Sequence, residues 1–390
     1  MELAWQATTD ALAQIPIPTA SPVTGGSRNP LGVLATGGAF CFDPFDLYAR
    51  ELITNPNLLV LGDVGRGKSA MVKTLLHRGL REGQSLAVID PKGEYRELGG
   101  AVRAARLSPG EAGGIDPFAG YGSSAPELAT AVLALISLVV RRDPTEVEKA
   151  VASAIARHLA VGRKPPSIRQ LLYLCERPSL IAAMVPAVLR EEAERLMAAT
   201  GMDLERVVSG DLAGLFSLDG RVEPMAERIV IDLGAAGSGE LGALATAAIL
   251  RSRIADLARG RIGPGYVVLD EAWSVLRDPA IAGSLRSLLK LARAYGASVI
   301  AVTHRLSDLA AEARGLVREC GSVALFSQGR SEAAELEEWF GFDAQRCDLA
   351  CDLPRGRAIW LLGRREFLVD HLVEPAERGL VDTDARMVAG

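Results

Sequence analysis

The stretch Asn57-Leu58-Leu59-Val60-Leu61-Gly62-Asp63-Val64-Gly65-Arg66-Gly67-Lys68-Ser69 decides how this chain is read. An apolar run enters a glycine-dense turn, and Ala70-Met71-Val72-Lys73-Thr74-Leu75-Leu76 behind it has the composition of a helix start. Gly62 to Ser69 fits G-x-x-x-x-G-K-[ST] in the strand–turn–helix setting the pattern requires. Gly62, Gly65 and Gly67 admit backbone conformations closed to other residues, so successive N–H groups can converge on phosphate. The helix behind them presents its N-terminus, whose dipole favours an anion. Gly62, Asp63, Val64, Gly65, Arg66, Gly67, Lys68, Ser69 and Ala70 are therefore the candidate nucleotide-binding segment. With ATP as the ligand, Lys68 is expected to reach the β- and γ-phosphates and Ser69 Oγ to coordinate Mg²⁺.

Working outward, further short apolar runs end in polar residues, as strands of a parallel sheet do where they meet a ligand. Tyr266 to Leu269 ends in Asp270-Glu271. Adjacent acids at the end of a buried strand are costly unless they meet a metal or cation. Joined to the phosphate loop, Asp270 becomes the second Mg²⁺ ligand and Glu271 the general base that polarises the attacking water. Ser298 to Val302 ends in Thr303-His304-Arg305 and is expected beside the phosphate-loop strand. Thr303 and His304 then stand next to the γ-phosphate as candidate sensors, a backbone-satisfied structural histidine being the alternative. Ser85 to Ile89 ends in Asp90-Pro91-Lys92-Gly93-Glu94-Tyr95, where Asp90 and Glu94 either orient water or Mg²⁺ or serve in loop solvation and capping of the next helix.

Ile229 to Leu233 and Val323 to Phe326 add strands, and a helix is expected over Glu240 to Leu257. Leu31 to Phe42 reads as a leading hairpin around Gly37-Gly38, and Ala358–Leu362 with Glu366–Val373 as a closing one. Between roughly Ser123 and Glu223 helical periodicity replaces the strand pattern. Asp143-Pro144 and the capping-box pattern Ser167-Ile168-Arg169-Gln170 mark helix starts there. The expected fold is α/β, a RecA-like core with a mainly parallel sheet, an all-helical insertion and a C-terminal hairpin. The divisions are a flexible arm over 1–27, the first part of the core over 28–122, the insertion over 123–225, the second part of the core over 226–373 and a tail over 374–390.

The formal net charge of -5 argues against a strongly basic nucleic-acid binder, although a local patch stays compatible with it. Cys41, Cys175, Cys320, Cys347 and Cys351 contain no C-x-x-C pair, which suits a reducing compartment. The start of the chain lacks a basic region followed by an apolar one. The longest apolar run, Leu128 to Val140, is too short to span a bilayer and reads as a buried helix. The expected location is cytoplasmic, with peripheral attachment to a membrane left open.

Four segments together, Gly62–Ser69, Val88–Tyr95, Ile115-Asp116-Pro117-Phe118 and Leu269-Asp270-Glu271-Ala272-Trp273, resemble the conjugal-transfer ATPases of type IV secretion systems. These are the VirB/TraC-type members of the HerA–FtsK superfamily. The resemblance runs from about Asn29 to Val373. It implies a homo-hexameric ATPase at the cytoplasmic face of the inner membrane, working with secretion-channel proteins, with a DNA-translocating motor as the runner-up and DNA as an open partner. It also implies an arginine that completes a neighbouring subunit's site, for which Arg293 matches best and Arg305 and Arg330 less well. The family has glutamine where this chain has His304, so activity is expected to vary with pH. The family's large N-terminal domain has no counterpart before the core, which implies a separate polypeptide in that role or a different job.

Overall fold

The computed structural model describes residues 29–108, 118, 124–140, 145–162, 166–210, 213, 216–219, 226–234, 240–272, 289–307 and 317–381. The strands are β1 (Pro30–Leu34), β2 (Ala39–Cys41), β3 (Leu58–Leu61), β4 (Ser85–Asp90), β5 (Ala105–Leu107), β6 (Arg228–Asp232), β7 (Gly265–Leu269), β8 (Ala297–Thr303), β9 (Ser322–Phe326), β10 (Arg357–Leu362) and β11 (Arg365–His371). They form one sheet in the order β2-β1-β11-β10-β9-β3-β8-β7-β4-β6-β5. From β9 to β5 every pairing is parallel, whereas β10, β11, β1 and β2 pair antiparallel along one edge. The phosphate-loop strand β3 lies between β9 and β8, so the expected neighbour of β3 is observed.

The helices include α1 (Pro44–Ala49), α2 (Lys68–Gly79), α3 (Arg96–Ala101), α4 (Ala125–Val140), α5 (Glu146–Val161), α6 (Ile168–Cys175), α7 (Pro178–Ala182), α8 (Arg190–Ser209), α9 (Glu240–Ala258), α10 (Ala333–Phe340), α11 (Ala344–Cys351) and α12 (Arg378–Val381). Side chains alternate across a strand, and β3 uses both directions. Leu58 and Val60 enter a core with Met71, Val72, Leu75 and Leu76 of α2. Leu59 and Leu61 enter the opposite core with Ile249, Leu250 and Ile254 of α9. Burial on both faces explains why β3, β4, β7, β8 and β9 read as unbroken apolar runs.

Helices α4 to α8 enclose a third core that includes Leu128, Val132, Val151, Ile155, Leu171 and Met197. The expected start at Asp143-Pro144 lies outside the described residues. Helix α5 begins at Glu146 and is capped by Thr145, which forms a reciprocal capping box with Glu148. At α6 half of the expected box forms: Gln170 N–H donates to Ser167 Oγ at 3.3 Å, while Gln170 Oε1 is buried with no partner. Among the described residues no helix is long and apolar enough to cross a membrane.

Strand β11 ends at His371, short of the expected Val373, and a turn of 3₁₀ helix follows over Pro375–Glu377. That turn is tied to α2: Arg78 Nε donates to Glu377 Oε1 at 2.7 Å, and its Nη2 donates to Leu372 O at 3.2 Å. Residues 1–28, which hold the expected N-terminal arm, lie outside the described residues.

Candidate active site

The carboxyl ends of β3, β8, β7 and β4 lie side by side, and each carries a polar tip. At β3 the chain turns into the phosphate loop at Gly62, which has φ +153. A Cβ there would stand 2.5 Å from Phe326 Cβ, so only glycine fits between β3 and the end of β9. Gly62 N–H donates to His304 O at 3.3 Å, Asp63 N–H to Ser327 O at 2.8 Å, and Gly356 N–H to Arg66 O at 2.9 Å. The loop is thereby fastened to β8, β9 and the turn before β10. Gly67, at φ +106, caps α2 in the left-handed region, and no side chain bonds to the helix start. The first N–H groups of α2 therefore lack a side-chain acceptor, as an anion site requires.

Lys68 lies at that start, buried, with Nζ 2.6 Å from Gly62 O and 2.9 Å from Asp63 O. Burial lowers its pKa to about 8, against the raising pull of Glu271, Asp270 and Asp63. Ser69 and Ala70 are half-buried on the first turn, whereas Val64 and Gly65 are exposed at the loop's tip. Asp63 meets Arg305 at 3.8 Å.

Strand β7 is followed by Asp270, which is buried. Burial first, and then the charges of Glu271, Glu94 and Asp90, push its carboxyl up to about 7. Asp270 Oδ2 has no hydrogen-bond partner among the described residues. An orphaned buried carboxylate oxygen suits a divalent cation, so the chemistry of Asp270 fits the expected Mg²⁺ ligand.

Glu271 follows in the left-handed region, φ +52, unusual for a residue with a side chain. His304 joins it to the phosphate loop. The imidazole Nδ1 is 3.1 Å from Lys68 Nζ, and Nε2 is 2.9 Å and 3.0 Å from the two Glu271 oxygens. Lys92 Nζ, from the turn after β4, lies 2.5 Å from Glu271 Oε1.

Asp90 braces the turn after β4 and does not cap α3, whose N-cap Tyr95 makes no side-chain capping bond. The Asp90 side chain is buried and accepts from Glu94 N–H at 3.0 Å and Tyr95 N–H at 2.9 Å. Thr303 is buried beside the site with its Oγ1 unpartnered. Arg293 is not brought to this cluster. It is exposed before the first residue of β8, at the opposite edge of the sheet, with its guanidinium 5.6 Å from the Tyr48 ring of α1. Thr303 is the seventh residue of that strand, roughly 20 Å of extended chain from its first. Arg330 pairs with Asp348 and Asp352 on the surface. The contact that sequence reading missed is Lys92 to Glu271. Its signal was present, since a lysine follows one strand and an acid pair follows another, but nothing in the sequence placed β4 beside β7.

VirB4 of Thermoanaerobacter pseudethanolicus matches with a TM-score of 0.74 at 23% identity, over 90% of this chain and 98% of that one. The fold is a RecA-like P-loop NTPase. The bacterial conjugative coupling protein TrwBdeltaN70 matches this P-loop NTPase with a TM-score of 0.61 at 17% identity, over 90% of each chain. Residues 44–161 match the family described as "Helicase HerA, central domain". The energy-coupling factor transporter ATP-binding protein EcfA1 of Streptococcus thermophilus is 28% identical over 119 residues. That alignment takes in 30% of this chain and spans 41% of the length of EcfA1.

Proposed function

We propose that this P-loop NTPase hydrolyses ATP to energise a type IV secretion or conjugation machine, in channel assembly or in substrate transfer. The observation that carries the reading is the join of Lys68 to Glu271 through His304, beside the orphaned carboxylate of Asp270, on a fold shared with VirB4. The HerA match and the likeness to a conjugative coupling protein support the same reading.

Residues 62–70 hold the triphosphate, with Lys68 on the β- and γ-phosphates. Ser69 and Asp270 would hold Mg²⁺, which when bound neutralises charge on the phosphate oxygens. Glu271 accepts a proton from water as the water oxygen bonds to the γ-phosphorus, and the bond from that phosphorus to the β–γ bridging oxygen breaks. ADP and phosphate leave. His304, with its proton on Nε2, holds the Glu271 carboxylate while Nδ1 accepts from Lys68, so one ring reports the state of the phosphate loop to the base.

In this reading 28–122 and 226–373 form the ATPase core, 123–225 is a helical insertion, 1–27 is an arm and 374–390 a tail. The working form is a homo-hexamer at the cytoplasmic face of the inner membrane, docked on secretion-channel proteins, with Arg293 completing the neighbour's site. A DNA-translocating motor is the second reading, favoured by the match to a helicase domain. Steady-state ATP hydrolysis across a salt series, with and without DNA, separates the two, with Lys68→Ala as the blank. Turnover that ignores DNA supports the secretion reading. Stimulation by DNA that is lost as salt rises supports the motor. Turnover equal in wild type and Lys68→Ala overturns both.

A further inference from the structure

Glu271 is held by side chains from two different strands. His304, at the tip of β8, bonds both carboxylate oxygens, and Lys92, after β4, bonds Oε1. The second contact is built into the sheet. β4 and β7 pair in parallel with Ile89 opposite Leu269, so the residues that follow the two strands emerge at the same level. The turn bearing Lys92 is fixed from both sides. The Asp90 carboxylate accepts the N–H groups of Glu94 and Tyr95, and Gly93 takes φ +69 where a Cβ would stand 3.3 Å from Asp232 Oδ2. Lys92 is nearly half exposed, whereas the Glu271 side chain is buried. Solvation alone would draw the lysine outward. Burial disfavours its charge, but the hydrogen bond and charge of Glu271, with Glu94 and Asp270, outweigh this and raise its pKa above the ordinary lysine range.

We infer that Lys92 is a positioning residue for the general base: it and His304 hold the Glu271 carboxylate from opposite sides, in the orientation that meets the attacking water. The inference rests on the ATPase reading above. A carboxylate on a left-handed backbone that loses one of its holders can rotate about its side-chain torsions, and loss of orientation at a reacting centre is expensive. Lys92 has no part in the grip on the triphosphate. Its ion pair is with Glu271, not with the phosphate loop, so its removal is expected to act first on the base.

The test compares kcat with the Kd of a fluorescent ATP analogue in wild type, Lys92→Met, Lys92→Arg and Glu271→Gln. Lys92→Met is expected to lose about 10- to 100-fold in kcat, with Kd within about 2-fold of wild type. Lys92→Arg keeps a cationic donor in reach and is expected to restore most of the loss. A Lys92→Met enzyme with wild-type or higher kcat overturns the inference. So does a parallel loss of kcat and affinity, or an arginine variant no better than the methionine one. Glu271→Gln tells the two levels apart. If it turns over like wild type, or if wild type does not turn over, the ATPase reading fails and takes this inference with it. If Glu271→Gln is dead and Lys92→Met is not, only the role of Lys92 falls.

Discussion

His304 Nδ1 lies 3.1 Å from Lys68 Nζ. An ammonium group only donates, so Nδ1 accepts and the ring proton resides on Nε2, facing Glu271. A glutamine can meet both demands, its carbonyl accepting from Lys68 and its amide donating to the carboxylate. His304→Gln is therefore expected to keep turnover within about 10-fold of wild type. His304→Leu, which meets neither demand, is expected to lose about 10²- to 10⁴-fold in kcat, the range for a group that supports proton transfer. Equal activity in the leucine and glutamine variants would show that the bridge plays no part in turnover.

Asp270 links the site to stability. Its carboxyl is raised by burial to about 7 from an ordinary value of 3.8, so between those values the folded chain binds more protons than the unfolded one. Stability then falls as pH rises through this window, and the whole penalty is present above pH 7. Asp270→Asn removes the ionisation. In chelator, its unfolding free energy, read by chemical denaturation, is expected to match wild type near pH 4 and to exceed it increasingly towards pH 7, by about 4 kcal/mol at most. Mg²⁺ with ATP should stabilise wild type and leave the variant unmoved. A constant offset at every pH would mean that the carboxyl is already ionised at the acid end.

The contact between Gly62 and Phe326 fixes where the phosphate loop leaves the sheet. An alanine at Gly62 meets Phe326 Cβ at 2.5 Å and also adopts a φ that side-chain-bearing residues avoid. Gly62→Ala is expected to weaken the fluorescent ATP analogue at least about 10-fold and to cost about 1–3 kcal/mol of stability. Titration and chemical denaturation check the two effects separately. An unchanged Kd would mean that the loop can be re-seated without Phe326.

Most of the architecture was legible because the central strands are buried on both faces and carry little but Leu, Val, Ile and Ala. Their tips were legible because Gly62, Asp270 and Thr303 interrupt those runs abruptly. Strand β5 escaped because three residues, two of them exposed, carry no periodicity. Asp90 was ambiguous because a turn-bracing carboxylate and a metal-binding one look alike until the N–H groups around them are placed. Lys92 was invisible as a partner of Glu271 because strand order, not sequence distance, brings the two together. The short helix after β11 carried no strong pattern of its own, and its link to Arg78 spans 299 residues.

Arg293 supplies the last prediction, since its position is compatible with a role only in an assembly. It is exposed at the sheet edge remote from its own phosphate loop, stacked over Tyr48. If it completes a neighbour's site, Arg293→Ala should bind the ATP analogue normally, assemble normally and lose about 10³-fold or more in kcat. Glu271→Gln should be equally inactive. Mixing the two dead variants in one ring places an intact arginine against an intact base at about a quarter of the interfaces, by random assortment of a head-to-tail contact. Recovery of turnover on mixing, absent from either variant alone, is the expected result. No recovery, with Arg293→Ala otherwise folded and assembled, would reduce Arg293 to a surface cation resting on Tyr48. The search for the completing charge would then move to Arg305, which already lies 3.8 Å from Asp63 of the phosphate loop.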